Sequence, residues 1–475
     1  MRPLFDRAAF WLLLALIIWA PVPLGSNRPW AWAILEAGIF GAGLLWLAAC
    51  ARREISTAPV LRTAWPAFVL LALWLLFLLL QWVPLPRELV RALSPHAAEL
   101  HGAADYLRDG RYITLSVDPH ASFVFWLKHC AYAAAFALTL LLVRGRTRLA
   151  WLCGTIVACG LVQAFYGSFL HLARIDFAVL GMPIPHSSQA SGSYVNRNHL
   201  AGLLEMCLAV GIGMMVAQLE DRPRRSWGQF LQDTATLLLS GKAMLRLVLV
   251  IMVVALVMTR SRMGNTAFFA SMLVAGALGL ALSRHAPRGT VILIASLVVI
   301  DLALIGTWFG VEKTVKRIAE TTVQNVEERV DPSVYAVRIF EDYPLFCTGG
   351  GTFYTSFTRY RGHDIPDYYD HVHNDYVQYL TETGLIGASL LGLLVVASFA
   401  CAILAQARRR DPLARGVAFS VVMGVIAIGI HSTVDFNLQI PANAFLFMIL
   451  LALGWLSLHL NRAHNHGNPR SDPET

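Results

Sequence analysis

Long uninterrupted apolar runs, separated by short polar breaks, dominate the chain from Phe10 to Leu460. Each run approaches the roughly 20 residues that an α-helix needs to cross a hydrocarbon core. Twelve such runs are centred near Ile17, Phe40, Leu73, Ala134, Val162, Val210, Val253, Val274, Leu297, Leu391, Gly424 and Leu450. The pattern predicts an all-α polytopic membrane protein of about twelve transmembrane helices, a single integral membrane domain over residues 1–475. The strands of a membrane barrel would alternate over about 10 residues instead of running continuously apolar, so that fold is excluded. The first run resembles a signal peptide behind Arg2 and Arg7, but no small-residue cleavage site follows it, so it is expected to stay as a helix.

Two of the breaks are long. The first, 84–120, places Leu85, Leu89 and Leu93 four apart, which predicts a short helix, either lying on the membrane surface or simply connecting spans. The second, 311–371, is the one long polar segment, and its length argues for a folded, helical cap. Within it Val315, Ile318, Val323, Val326 and Val330 suggest an amphipathic helix, and Thr348-Gly349-Gly350-Gly351-Thr352 predicts a turn.

Composition sharpens this reading. The chain is 56% hydrophobic and 14% charged, whereas soluble domains are about 25% charged; a soluble enzyme and a disordered chain are both excluded. The net charge of +8 brings no nucleic-acid motif with it, so no nucleic-acid partner is expected. It follows instead from the positive-inside bias. The breaks after even-numbered runs, together with the two tails, hold 21 of the 38 lysines and arginines, which places those loops and both termini in the cytoplasm. Of the seven cysteines only Cys347 lies in a long loop, so no disulfide is expected within that loop.

Four polar clusters then fall on the outer side. Gly192-Ser193-Tyr194-Val195-Asn196-Arg197-Asn198-His199 leads into the sixth run, which itself carries Glu205. A cation, two amides and an imidazole at a helix start form a natural anion site; the plainer alternative is that Asn196 or Asn198 caps the helix and Arg197 reaches lipid headgroups. Thr259-Arg260-Ser261-Arg262-Met263-Gly264-Asn265 puts two arginines in a tight outer turn, against the charge bias. Guanidinium forks match phosphate oxygens, although anionic lipid would serve them as well.

The third cluster begins at Tyr368-Tyr369-Asp370-His371-Val372-His373-Asn374-Asp375. There His373 has the chemistry of a general base near neutral pH, with Asp370 or Asp375 at hand to fix its tautomer. His371 and His373 alone do not make a zinc site, so no metal is expected. The fourth is the turn His431-Ser432-Thr433-Val434-Asp435-Phe436-Asn437 through Asn443, polar enough to line a pocket. Asp301 and Lys128, in or near apolar runs, are expected to find structural partners.

Taken together, the stretch from Gly192 to Glu205, Ser261-Arg262 after a span, His371-Val372-His373-Asn374-Asp375-Tyr376 through Gly387, and Val434-Asp435-Phe436-Asn437 resemble the O-antigen ligase and O-antigen polymerase superfamily of bacterial polytopic glycosyltransferases. The resemblance covers most of the chain and departs from the commoner pattern at Met263. It implies transfer or polymerisation of a glycan from an undecaprenyl-pyrophosphate donor at the periplasmic face of the bacterial inner membrane, without cofactor, nucleotide sugar or metal. It assigns the acceptor-activating base to His373 and pyrophosphate binding to Arg197 with Arg260 or Arg262. Asn196, Asn198, His199, His371, Asn374, Asp375 and Asp435 are left as the supporting pocket. The expected partners are the lipid-linked donor, membrane lipid, and an acceptor that is a glycan, the lipid A core or a protein. The His-Val-His-Asn-Asp form leans towards a polymerase. A flippase of lipid-linked glycan is the competing class, but such transporters carry repeated halves and midplane charges, whereas here the polar clusters sit at span ends.

Overall fold

The computed structural model describes residues 4–55, 58–104, 110–173, 177–179, 182–184, 189–218, 241–282, 323–363, 365 and 368–460. The helices are α1 (Leu4–Trp19), α2 (Pro29–Ala51), α3 (Ala58–Trp82), α4 (Arg87–Leu93), α5 (Pro95–Ala104), α6 (Pro119–Leu142), α7 (Arg146–Ala173) and α8 (Arg197–Ala217). They continue as α9 (Gly241–Met258), α10 (Arg262–Leu282), α11 (Val323–Asp342), α12 (Phe353–Tyr360), α13 (Asp375–Arg408), α14 (Pro412–His431) and α15 (Pro441–His459). Nine of the described helices are long and apolar enough to cross a membrane. The runs near Ile17 and Val253 form the helices α1 and α9, which are not among those nine. The run near Leu297, and with it Asp301, lies outside the described residues.

Local sequence sets several helix starts. Asp118 accepts from Ala121 N at 3.0 Å ahead of Pro119, and Asp411 accepts from Leu413 N at 3.2 Å ahead of Pro412. Both are acidic caps followed by a proline whose missing N–H costs the first turn nothing.

The core is built on α8, α14 and α15. Every residue in the apolar window of α15 is buried, and α6, α8, α13 and α14 all pack on it. The most extensive helix contact is between α8 and α14. It is close because a Cβ at Gly213 would overlap the Gly416 carbonyl oxygen, and one at Gly416 the Gly213 carbonyl oxygen. Small residues at facing positions let two backbones touch inside a membrane bundle.

Arginines of the predicted basic breaks meet at one end of the bundle. Buried Asp6 of α1 pairs with Arg144 and, at 2.5 Å, with Arg148. Arg146 pairs with Asp411 at 2.6 Å, and Arg409 Nη2 donates to the Leu460 carbonyl at 2.6 Å. Deeper in the bundle, Lys128 of α6 finds its partner in Trp32 of α2, with Nζ 3.7 Å from the ring centroid.

A second, smaller core lies apart from the helical shaft. Val90, Ala97, Ala98, Ile113 and Leu115 of one long break bury against Ala336, Ile339, Tyr343, Phe353 and Phe357 of the other. The two breaks are thus one folded unit. α4 is the helix expected near Leu89, but it buries Val90 and leaves Leu89 exposed, because its inward face is set by the cap core and not by the leucine spacing. The short pairs β1 (Leu85–Pro86) with β2 (Tyr112–Ile113) and β3 (Phe177–Val179) with β4 (Met182–Ile184) are antiparallel. Val315 and Ile318 lie outside the described residues, while Val323 opens α11.

The expected turn at Thr348–Thr352 stitches the unit to the shaft. Val117 N donates to the Thr348 carbonyl at 2.9 Å, and Ser122 Oγ to the Gly350 carbonyl at 2.9 Å. Gln81 of α3 accepts from Gly350 N at 3.0 Å and donates to the Phe346 carbonyl at 3.0 Å. α13 is broken where it passes beneath: Gly384 has φ of 63°, and a Cβ there would overlap the Leu345 carbonyl oxygen. Only glycine satisfies both demands cheaply.

Candidate active site

The four polar clusters lie at helix starts and turns that the fold ties together. Arg197 opens α8 and Arg262 opens α10, and these helices pack on one another. Ala190 N, upstream of α8, donates to the Met258 carbonyl at the end of α9 at 3.1 Å. Asp375, which opens α13, donates its N–H to the carbonyls of Ser432 at 3.0 Å and Asp435 at 3.2 Å in the α14–α15 turn.

Asparagines do the capping. Asn196 accepts from Asn198 N at 2.9 Å as the cap of α8. Asn374 accepts from Val377 N at 3.1 Å as the cap of α13, and its amide donates to the Thr433 carbonyl at 3.0 Å. Asn196 and Asn374 therefore shape helix ends, and Asn198 supplies the backbone N–H that the first of them holds. Arg197 and Arg262 each stand at a helix N-terminus, where the backbone adds partial positive charge to the guanidinium. Arg260 is exposed in the intervening turn with φ of 52°. Ser261 Oγ accepts from Gly264 N at 3.2 Å, which fixes that turn.

Phe436 joins the histidines. Its ring lies 4.6 Å from His199, 4.5 Å from His371 and 4.7 Å from His373, centroid to centroid. One phenylalanine thus gathers imidazoles from α8 and from the segment before α13. His373 has φ of 58°, a strained conformation for a residue other than glycine, and such residues cluster at functional sites. His371 hydrogen-bonds Gln378 Nε2 at 2.8 Å, and burial pushes its imidazole down to about 3.

The carboxylates have divided roles. Asp375 accepts from Ser432 Oγ at 2.8 Å, Leu438 N at 3.1 Å and Gln439 Nε2 at 3.4 Å. These bonds make it the anchor of the α14–α15 turn. Asp435 lies 3.5 Å from His199 Nε2 and accepts from Phe436 N at 2.8 Å. Burial works to raise its carboxyl, but the close His199 imidazole and the neighbouring His431 outweigh it and hold the group below the ordinary carboxylate range.

Several participants were not singled out by the sequence. Phe436 was named only as part of a polar turn, with no role of its own. Asn443, whose amide donates to the His199 carbonyl at 2.9 Å while its oxygen accepts from Tyr194 Oη at 2.9 Å, sat unremarked in a polar turn. Gln378 links His371 to Glu382, donating to Glu382 Oε1 at 3.2 Å. The available signal was a row of buried polar residues within apolar helices, each of which must find a partner.

Chemically, the arrangement offers an imidazole beside a carboxylate, two further imidazoles around one aromatic ring, and arginines at helix N-termini. No curated protein sequence matches the chain. Residues 247–392, which contain Arg260, Arg262, His371 and His373 but neither Arg197 nor Asp435, match the family described as O-antigen ligase. Over that stretch, the match supports the resemblance of this chain to the O-antigen ligase and polymerase superfamily.

Proposed function

We propose that this chain is an inner-membrane glycosyltransferase that moves or polymerises a glycan from an undecaprenyl-pyrophosphate donor at the periplasmic face. The observation that carries the reading is the gathering of His199, His371 and His373 around Phe436, beside helix starts that carry Arg197 and Arg262. The acceptor hydroxyl attacks the anomeric carbon, its proton passes to His373, and the bond from that carbon to the pyrophosphate oxygen breaks. The departing pyrophosphate gains charge as it leaves, and cations at its oxygens stabilise that state. Displacement in a single step inverts the anomeric centre. Arg197, with Arg260 or Arg262, holds the pyrophosphate, and both chain termini lie in the cytoplasm.

The size and anchor of envelope glycans, compared with and without the protein, test this. Single repeat units stranded on the lipid carrier identify a polymerase, and long glycans stranded there identify a ligase. A secreted protein that loses its glycan identifies a protein O-oligosaccharyltransferase. His373→Ala inserts normally and loses transfer by about 100-fold or more. Translocation of lipid-linked glycan with no new glycosidic bond supports the flippase class instead.

A further inference from the structure

Glu205 and His431 form a pair that lies 226 residues apart in sequence and wholly inside the protein. Glu205 Oε1 and His431 Nδ1 are 2.7 Å apart, and both side chains are fully buried. Glu205 is in α8 and His431 ends α14, so the most closely packed helix pair is pinned where it reaches the site. A pair serving only as a clamp would use up its polar atoms. Here, among the described residues, none hydrogen-bonds Glu205 Oε2 or His431 Nε2, nor Asn437 Nδ2 in the adjoining turn. Buried polar atoms in this state call for an explanation beyond packing.

The pair has a direct route to the site. His431 leads into the turn that carries Asp435 and Phe436, and Val434 N donates back to the His431 carbonyl at 3.2 Å. Asp435 in turn lies 3.5 Å from His199 Nε2. His199 and Glu205 are six residues apart on α8, about 9 Å along its axis. Carboxylate, imidazole, carboxylate and imidazole therefore alternate from Glu205 through His431 and Asp435 to His199, and the series ends at the ring of Phe436.

We propose that Glu205 and His431 are positioning residues of the transfer reaction, which align Asp435 and Phe436 and, through them, His199 and His373. This rests on the transferase reading above. A carboxylate that orients an imidazole is effective because it fixes both the ring plane and the tautomer.

The test is transfer by purified protein in proteoliposomes, with undecaprenyl-pyrophosphoryl glycan as donor, for wild type, Glu205→Gln, His431→Gln and the double variant. Each single variant is expected to lose roughly tenfold or more in kcat. The donor KM stays within about twofold, and the double variant is no worse than either single one, as for residues acting as a unit. Glu205→Gln keeps the shape and a hydrogen bond, so its thermal unfolding matches wild type and it decides the matter if His431→Gln fails to fold. Wild-type kcat in Glu205→Gln overturns the proposal. So do losses that multiply in the double variant, a loss confined to KM, or a loss that tracks only the amount of folded protein. A wild-type chain that transfers nothing removes the transferase reading itself, a result distinct from all of these.

Discussion

The two ends of the helical bundle both carry arginines, yet they treat their carboxylates in opposite ways. At one end Asp6 is claimed by Arg144 and Arg148, and Asp411 by Arg146. At the other, Glu205 is held by His431, Asp435 by His199, and Asp375 by Ser432. Carboxylates that meet arginine lock helix ends together. Carboxylates that meet imidazole orient a group able to carry a proton near neutral pH. Arginine content alone therefore does not distinguish the two ends, and the partners of their carboxylates do.

The largest expected effect breaks this contrast at the site end. Arg197→Lys keeps the charge and loses the fork, and transfer by the purified protein is expected to fall about 100-fold. Arg146→Lys, in a half-exposed pair with Asp411, is expected to leave the rate unchanged. At the opposite end, Asp6→Asn should cost stability and not chemistry. Removing one partner of a largely buried ion pair costs up to about 3 kcal/mol. The detergent-solubilised variant should thus melt earlier while its transfer rate per folded molecule equals that of wild type. A parallel loss of rate would erase the distinction between the ends.

The smallest effect sharpens it through pH. Because burial lowers the imidazole of His371 to about 3, the unfolded chain, with His near 6.5, binds a proton that the folded chain refuses. The stability contributed by neutral His371 is complete above about pH 6.5 and is lost as pH falls from there towards 3. His371→Gln should lower the melting temperature at pH 7 modestly and flatten its decline between pH 6.5 and pH 4.5. An unchanged slope would show that the decline has another source.

Much of the shaft was legible in the sequence because apolar runs of spanning length leave few alternatives, and α2, α3, α6, α7, α8, α10, α13, α14 and α15 lie on predicted centres. The smaller core was legible only in part: 311–371 was expected to fold as a helical cap, with 84–120 as a separate loop. Its unity depends on contacts such as Val117 with Thr348, which join segments more than 200 residues apart and leave no periodic trace. At the site, the polar clusters were visible because charge and amide side chains are conspicuous between apolar runs. Their wiring was not. Asp375 was read as a neighbour of His373 because sequence proximity suggests it, but as the first residue of α13 its carboxylate reaches across to the α14–α15 turn. Glu205 was visible as a carboxylate within an apolar run and His431 as the start of a polar turn, and only packing of α8 on α14 makes them a pair.

The burial of α15 has a consequence for how the protein is made. A chain emerging from the ribosome delivers its helices in order, and α15 is the last described one, yet α6, α8, α13 and α14 are arranged around it. The earlier spans must therefore wait in the bilayer around an unfilled centre. Until Asn443 arrives, Tyr194 Oη lacks the oxygen it donates to, and the amide bridge to the His199 carbonyl is not yet made. Insertion of α15 and completion of the contacts around His199 are thus one event, and a chain stopped before Pro441 would lack them.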